Sequence, residues 1–155
     1  MRHYRLTNQE RAATGYTDAY ALDHKDLTDA DGSQNIVLES LPVNTTICYT
    51  DACMICTEAW GGGDATEVKV QVGHGELNNN NTADPNYFIA DTSVLLVNKF
   101  VGPVTAAVSA ITITDTTPLD CTWTVTGDDC ADLTTGGLVI YFKIIRQTDV
   151  LGAQG

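Results

Sequence analysis

The sequence predicts an all-β protein, a β-sandwich of about eight strands with jelly-roll or Greek-key connections. Its composition leans to Thr, Val and Ile, which fit a pleated sheet better than a helix. Short runs with a period of two are separated by clusters of turn residues, and no convincing amphipathic helix lies between them. We expect an extended N-terminal arm over residues 1–21, a single sandwich domain over 22–149 and a frayed tail over 150–155.

The expected arm mixes Arg, Thr, Tyr and Ala and shows neither the helical nor the strand period. Such a segment becomes ordered mainly against something else. It contains Arg2, Arg5 and Arg11, three of the eight Lys and Arg residues of the chain. Because clustered basic groups complement an acidic surface, we interpret these three arginines as partner-binding residues.

The first half of the domain begins with an acid-rich loop and then contains three β-type runs. NIVLESL (35–41) is the first run, and it ends at Pro42, which cannot donate to a ladder. TTICYTDACMICTEAW (45–60) forms one long bent strand or two short ones before a glycine turn. Alternating valines then define a strand with one wet face over residues 68–72.

The second half contains further β-type runs. SVLLVNKFVGP (93–103) gives another apolar run, and the following segment, 105–118, alternates toward its end. CTWTVT (121–126) and LVIYFKIIR (138–146) alternate most clearly. The side chains that we expect on the core faces of these last two strands are Cys121, Trp123, Val125, Leu138, Ile140, Phe142 and Ile144.

Residues 73–86 contain Gly-His-Gly, four consecutive asparagines and Asp84-Pro85. Gly, Asn and Asp adopt turn conformations easily, so this segment is predicted to be a surface loop. The alternative is a contact loop that presents polar groups to a neighbouring subunit or a ligand, because loops on rigid β scaffolds commonly carry recognition.

The formal net charge is −12, from 20 acidic and 8 basic side chains. The average field therefore repels phosphate backbones and anionic membranes, and we expect neither a nucleic-acid nor a membrane partner. No apolar stretch approaches the length that crosses a bilayer, and the N-terminus lacks the apolar centre of an export signal. We expect the protein to be made and used without a signal peptide.

The five cysteines are an odd number in a chain large enough to fold without disulfides, which favours reduced thiols. A pairing of Cys121 with Cys130 stays plausible. Cys53 and Cys56 have the spacing of a zinc knuckle, but no second pair or nearby His completes four ligands. In a straight strand they point to opposite faces, so we interpret them as buried thiols.

No catalytic or cofactor motif is present in the sequence. Its three histidines lie in unrelated contexts, and no zinc-protease, nucleophile-elbow or phosphate-loop pattern occurs. We therefore expect a non-enzymatic protein without a cofactor. Asp128, Asp129 and Asp132 leave two interpretations open, a loose calcium site and a solvated acidic turn.

Five short motifs resemble those of small structural proteins of tailed bacteriophages. In order they are ALDHKDLT, an LP break after the first strand, a VG strand end, DPNYFI and LTTGGLVIYFKI, and the resemblance spans residues 15–146. It implies a head-decoration or cement protein with a β-sandwich or jelly-roll fold, which often assembles as trimers on the capsid lattice. The implied partner is the major capsid protein, the implied location is the capsid surface after synthesis in the bacterial cytoplasm, and no catalytic residue is implied.

Two other classes of function compete with this interpretation. A carbohydrate-binding or adhesin-like module would use the loop 73–86, with Trp60 as an exposed stacking platform beside a glycine turn. A hydrolase on a jelly-roll scaffold is the weaker alternative, because no acid–base set can be named.

Overall fold

The computed structural model describes residues 1–75, 83–97, 100–103, 110–114 and 116–148. Within them the chain forms two antiparallel sheets that enclose one hydrophobic core, which confirms the predicted all-β sandwich. No helix in this part of the chain is both long and apolar enough to cross a membrane.

Ten strands, one short helix and two 3₁₀ turns are delimited in these residues. Those of the N-terminal half are β1 (Arg2–Arg5), α1 (Asn8–Thr14), β2 (Asp18–Asp23), a 3₁₀ turn (His24–Asp26), β3 (Ser33–Leu41), β4 (Thr46–Gly61) and β5 (Glu67–His74). Those of the C-terminal half are β6 (Asp84–Ser93), β7 (Phe100–Val101), β8 (Ala110–Thr112), β9 (Thr117–Thr126), a 3₁₀ turn (Cys130–Asp132) and β10 (Thr135–Ile145).

The six-stranded sheet has the order β1-β2-β10-β4-β7, with β8 also paired to β4, and the four-stranded sheet has the order β3-β9-β5-β6. The run 45–60 forms one long bent strand, the first of the two predicted forms. Its register against β10 shifts between Cys53, opposite Tyr141, and Cys48, opposite Lys143. Extra residues on one strand of an antiparallel pair bend that strand, which explains its curvature.

The core lies between the sheets and is centred on large side chains from both. Trp123, Phe142 and Phe88 are fully buried, and the rings of Phe88 and Phe142 meet edge to face with centroids 5.3 Å apart. Every core-face residue predicted for the strands 121–126 and 138–146 is buried. The period of two therefore predicted the inner face of both strands correctly.

The N-terminal segment differs from the expected extended arm. β1 pairs with β2, α1 follows β1, and β2 continues the six-stranded sheet beside β10. Asp18, Ala19 and Tyr20 are buried, although they fall within residues 1–21. A strand of four residues and a helix of seven are shorter than the window over which a period can be recognised, so the sequence did not reveal them.

Two other predicted segments have different boundaries in the structure. Among the described residues of the run 93–103, Ser93 ends β6, Leu95 to Val97 are exposed, and Phe100–Val101 is a strand of two residues. The loop predicted over 73–86 is shorter, because Gly73 and His74 are buried in β5 and β6 begins at Asp84. Its centre, residues 76–82, and the predicted tail, 150–155, lie outside the described residues.

The contact between Gly136 and Trp60 gives a test of the packing. Gly136 has φ +144°, and a Cβ there would overlap the indole ring of Trp60. We expect Gly136→Ala to lower the free energy of unfolding by about 2–5 kcal/mol, from backbone strain and overpacking together. Gly102→Ala is the control, since its Cβ would meet nothing nearer than 3.8 Å. Urea unfolding measures the free energy of unfolding of both variants. Equal values for Gly136→Ala and Gly102→Ala would contradict the close contact between Gly136 and Trp60.

Candidate interaction surface at the N-terminal segment

The N-terminal segment is a folded edge of the six-stranded sheet. β1 pairs with β2 from Arg2 opposite Ala21 to Arg5 opposite Asp18, and all four β1 residues are exposed. The helix α1 then turns the chain back toward β2. Thr7 and Glu10 form a capping box at its start, and Gly15 ends it in the left-handed conformation.

The structure places the three predicted partner-binding arginines on this folded edge. Arg2 and Arg5 are exposed on β1, three positions apart, so their side chains leave the strand on opposite faces. Arg11 is half-buried on α1, where its Nε donates to the carbonyl of Leu6 at 2.8 Å. Their role in binding stays a prediction, but they are displayed by secondary structure instead of by an extended chain.

A buried ionic cluster ties this segment to both sheets. Arg146, directly after β10, donates from Nη1 to Asp18 of β2 at 3.0 Å and from Nη2 to Glu39 of β3 at 2.7 Å. Asp18 is fully buried and Arg146 is 7% exposed. Because β3 belongs to the four-stranded sheet and β2 to the six-stranded sheet, the guanidinium joins the two layers.

Three further side chains complete this Arg146 cluster. His3 lies with Nε2 2.9 Å from Asp18, and its ring stacks on that of Tyr20 at 4.5 Å. Tyr20 donates its hydroxyl to Glu39 at 2.5 Å, and Thr17 donates to Asp18 at 2.6 Å. β1 is therefore held to β2 by its backbone ladder and to the Arg146 cluster by the imidazole of His3.

The ionisation of the cluster follows from its burial and its charges. Burial by itself would raise the pKa of Asp18, but hydrogen bonds from Arg146, Thr17 and His3 outweigh it and hold that pKa below its usual value. Burial and the bond to Glu39 raise the pKa of Tyr20, so its hydroxyl stays protonated. The firmly ionised carboxylate of Asp18 thus faces the guanidinium of Arg146, and the phenol of Tyr20 is neutral.

His3, Asp18 and Glu39 form the one group of three possible metal ligands found in the described residues, with ligand atoms within 4.8 Å of one another. Arg146 pairs with both carboxylates and already offsets part of their charge. A divalent cation placed there would meet a fixed positive charge at close range. We therefore assign the cluster a structural role.

Two grooves of about 430 and 460 Å³ border Tyr4 on the outer face of the six-stranded sheet. Both are lined by Tyr4, Ala21 and Val139. One extends toward α1 and Tyr141, and the other toward Met1 and the start of β10. Tyr4, 47% exposed, separates them.

The structure overturns two predictions that concern other residues. Trp60 is 2% exposed and packs against Trp123 with ring centroids 4.2 Å apart, so it is not a stacking platform. Cys121 and Cys130 are free thiols and do not form a disulfide. Burial raises the pKa of Cys121 to about 12 and that of Cys130 to about 11, so neither supplies a reactive thiolate.

The prediction for Cys53 and Cys56 is confirmed. Both thiols are buried, and Cys56 belongs to the core cluster, whereas Cys53 bonds to Tyr16 outside it. Cys56 donates to the backbone carbonyls of Glu58 and Val94. The two side chains therefore leave the strand on opposite faces, as the period of two requires.

Asp128 has a local role in its turn. Its carboxylate accepts hydrogen bonds from the backbone amides of Asp64 and Asp129, which lower its pKa. Asp132 lies beside it, and the shared hydrogen bond and the neighbouring charge raise the pKa of Asp132. These contacts favour the solvated acidic turn over the calcium site.

The fold defines the class: an all-β sandwich of one four-stranded and one six-stranded antiparallel sheet. No protein-family model and no curated protein matches the chain. Among solved structures the chain is similar to the "Capsid of Ralstonia phage GP4", with 20% sequence identity, a TM-score of 0.46, and 83% of each chain covered. Function has therefore to be inferred from this chain's own residues.

The Arg146 cluster predicts a strong and pH-dependent loss of stability in Arg146→Met. Removing one partner of a buried ion pair leaves an unpaired charge, which costs about 3–5 kcal/mol. The lowered pKa of Asp18 stabilises the wild type above the ordinary Asp range, and this contribution is lost as the pH falls through that lowered pKa. Without Arg146, burial raises the pKa of Asp18. Protonation of Asp18 then removes the unpaired charge and reduces the loss of stability in the variant.

The difference in unfolding free energy between wild type and Arg146→Met should therefore be largest near neutral pH and shrink as the pH falls through the Asp range. Urea unfolding across that range measures it. Lys69→Met is the control, because the ion pairs of Lys69 with Glu67 and Asp91 are exposed, so the variant should show neither effect. A loss for Arg146→Met that does not change with pH would contradict the assigned ionisation of Asp18.

Proposed function

We propose that the protein is a non-enzymatic structural component of a bacteriophage virion, which decorates or cements the capsid surface through many weak protein–protein contacts. The major capsid protein is the proposed partner, and trimers on the lattice are the proposed assembly. The motifs between residues 15 and 146 support the proposal. The observation that carries it is the display of Arg2, Arg5 and Arg11 on one folded edge of an acidic body.

The charge distribution supports a directed contact at this edge. Residues 1–11 hold three of the eight basic side chains and only one of the 20 acidic ones. An acidic partner surface would attract this edge and repel the rest of the chain, which fixes the orientation of binding. Because the two β1 arginines are exposed, each contact is individually weak and weakens with salt.

Weak contacts suffice when a lattice presents them together. Once one copy is bound, a linked or neighbouring copy meets its own site at a high effective concentration, so occupancy exceeds what one contact gives. A sandwich that holds its binding groups on paired strands also loses little conformational entropy on attachment. Both features suit a protein that reinforces a shell.

Charge neutralisation on β1 tests the proposal. We expect the double variant Arg2→Gln and Arg5→Gln to reduce occupancy on virions by about tenfold, because the complementary charge is lost while both side chains lie at the surface. Mass spectrometry of virions purified from cells that produce each variant measures the occupancy. Deletion of residues 1–20 would be a poorer test, because it removes Asp18 and Tyr20 from the interior.

The control for this experiment is the double variant Lys69→Gln and Gln71→Glu, which changes the net charge equally on the outer face of the four-stranded sheet. It should keep wild-type occupancy. Wild-type protein absent from virions would refute the structural role, and unchanged occupancy of the arginine variant would refute the role of β1. The mass of the isolated protein in solution tests whether it forms trimers.

A further inference from the structure

Two cysteines of β4, Cys48 and Cys53, lie on the same face of the six-stranded sheet. Cys48 is opposite Lys143 of β10, and Cys53 is opposite Tyr141. Tyr141 and Lys143 are two positions apart on β10, so their side chains point to one face. Residues that are opposite each other in a ladder share that face. Phe142, between Tyr141 and Lys143, is buried in the core, so the shared face is the outer face of the sheet.

The residues next to the two cysteines agree with this placement. Ile47 and Ala52 belong to the hydrophobic core, and each of them directly precedes one of the cysteines in the chain. Because successive residues of a strand point to opposite faces, Cys48 and Cys53 point away from the core. Cys53 is not part of the core cluster and bonds to Tyr16 instead.

The register shift in β4 brings the two cysteines close together. One residue, Phe142, separates their partners on β10, whereas residues 49–52 separate Cys48 from Cys53. Two rises along an antiparallel strand span about 6.4–6.8 Å, so the Cα atoms of the two cysteines lie about that far apart. In an unbulged strand, five rises would place them about 17 Å apart.

This separation is within the range that a disulfide can span. Disulfides join Cα atoms that are about 4.4–6.8 Å apart, so Cys48 and Cys53 lie at its upper end. Within this described pair of strands, the register skips residues 49–52. The segment between the two thiols can therefore adjust without breaking a pairing of β4 with β10.

Cys48 is the more accessible of the two thiols. All five cysteines lie in the described residues and none forms a disulfide; Cys48 is half-buried and the other four are buried. An oxidant in solution therefore meets Cys48 first, with Cys53 beside it as the resolving thiol. Burial raises the pKa of the Cys53 thiol, although its bond with Tyr16 acts in the opposite direction. The second step of an exchange should therefore become faster as the pH rises.

We propose that Cys48 and Cys53 form a redox-sensitive pair, which closes to a disulfide across the β4 bulge when the folded protein meets a disulfide oxidant such as glutathione disulfide. The thiolate of Cys48 attacks the oxidant, which forms a mixed disulfide and releases one glutathione thiolate. Cys53 loses its proton to water, and its thiolate attacks the sulfur of Cys48 and releases the second glutathione. The two protein thiols are thus oxidised by two electrons, and glutathione disulfide is reduced to two glutathione molecules.

This inference does not depend on the proposed function. A virion component would nevertheless meet the required change of conditions, because its particle leaves a reducing cytoplasm for an oxidising exterior. Closure would then fix the bulge of β4 after synthesis of the protein is complete.

Oxidation of the folded protein in a series of glutathione redox ratios tests the proposal. Remaining thiols are blocked with an alkylating reagent, and endoproteinase Asp-N then cleaves before Asp51, which places Cys48 and Cys53 on different peptides. We expect tandem mass spectrometry to find these peptides joined through Cys48 and Cys53 within one copy of the chain. The link should be reversed by a reductant and lost in Cys48→Ser, which changes a half-buried side chain outside the core.

Cys56→Ser is the matched control. Cys56 completes the two-residue spacing with Cys53, but its side chain points into the core. The variant should keep the link between Cys48 and Cys53 and form it at the wild-type rate. A link between Cys53 and Cys56 in the folded wild type would overturn the proposal.

Three further results would also contradict it. They are a glutathione adduct on Cys48 that never proceeds to a disulfide, a link through Cys48 that joins two copies, and no reaction of Cys48 at the most oxidising ratio. The experiment uses no virions, so its failure leaves the proposed function to its own test.

Discussion

The bridge that the Arg146 guanidinium forms between Asp18 and Glu39 is the constraint on which the arrangement of the N-terminal segment depends. Asp18 and Arg146 are removed from water and repay that cost only while they stay paired. The pairing requires β2, β3 and the end of β10 to meet at one point. His3 joins the same cluster, so the position of β1, and with it that of the exposed arginines, follows from the buried ion pairs.

The sequence predicts best where a strand is long and buried on one side. Trp123 and Phe142 were placed in the core because alternation over several residues leaves one consistent face. Trp60 was misplaced because its burial depends on Gly136, which lies on the neighbouring strand and leaves room for the indole ring. A glycine turn beside Trp60 indicates exposure locally, but a partner distant in sequence decides it.

The candidate site shows the same limit. The cluster of arginines at the N-terminus is visible in the sequence, and their position on a folded edge is not. Asp18 and Arg146 are separated by 128 residues, and nothing in the local pattern of either indicates the other. Arg146 at the end of an apolar strand was the available signal, because a charge there needs a buried partner.

The β1 strand is an edge of the six-stranded sheet, and its charges affect whether two copies can pair there. Two β1 edges that pair antiparallel over all four residues would place Arg2 of each copy opposite Arg5 of the other, and like charges directly opposite destabilise a strand pair. Charged side chains on an edge strand are a known protection against such pairing. The same β1 residues therefore oppose edge-to-edge pairing of copies, and under the proposed function they attract an acidic partner.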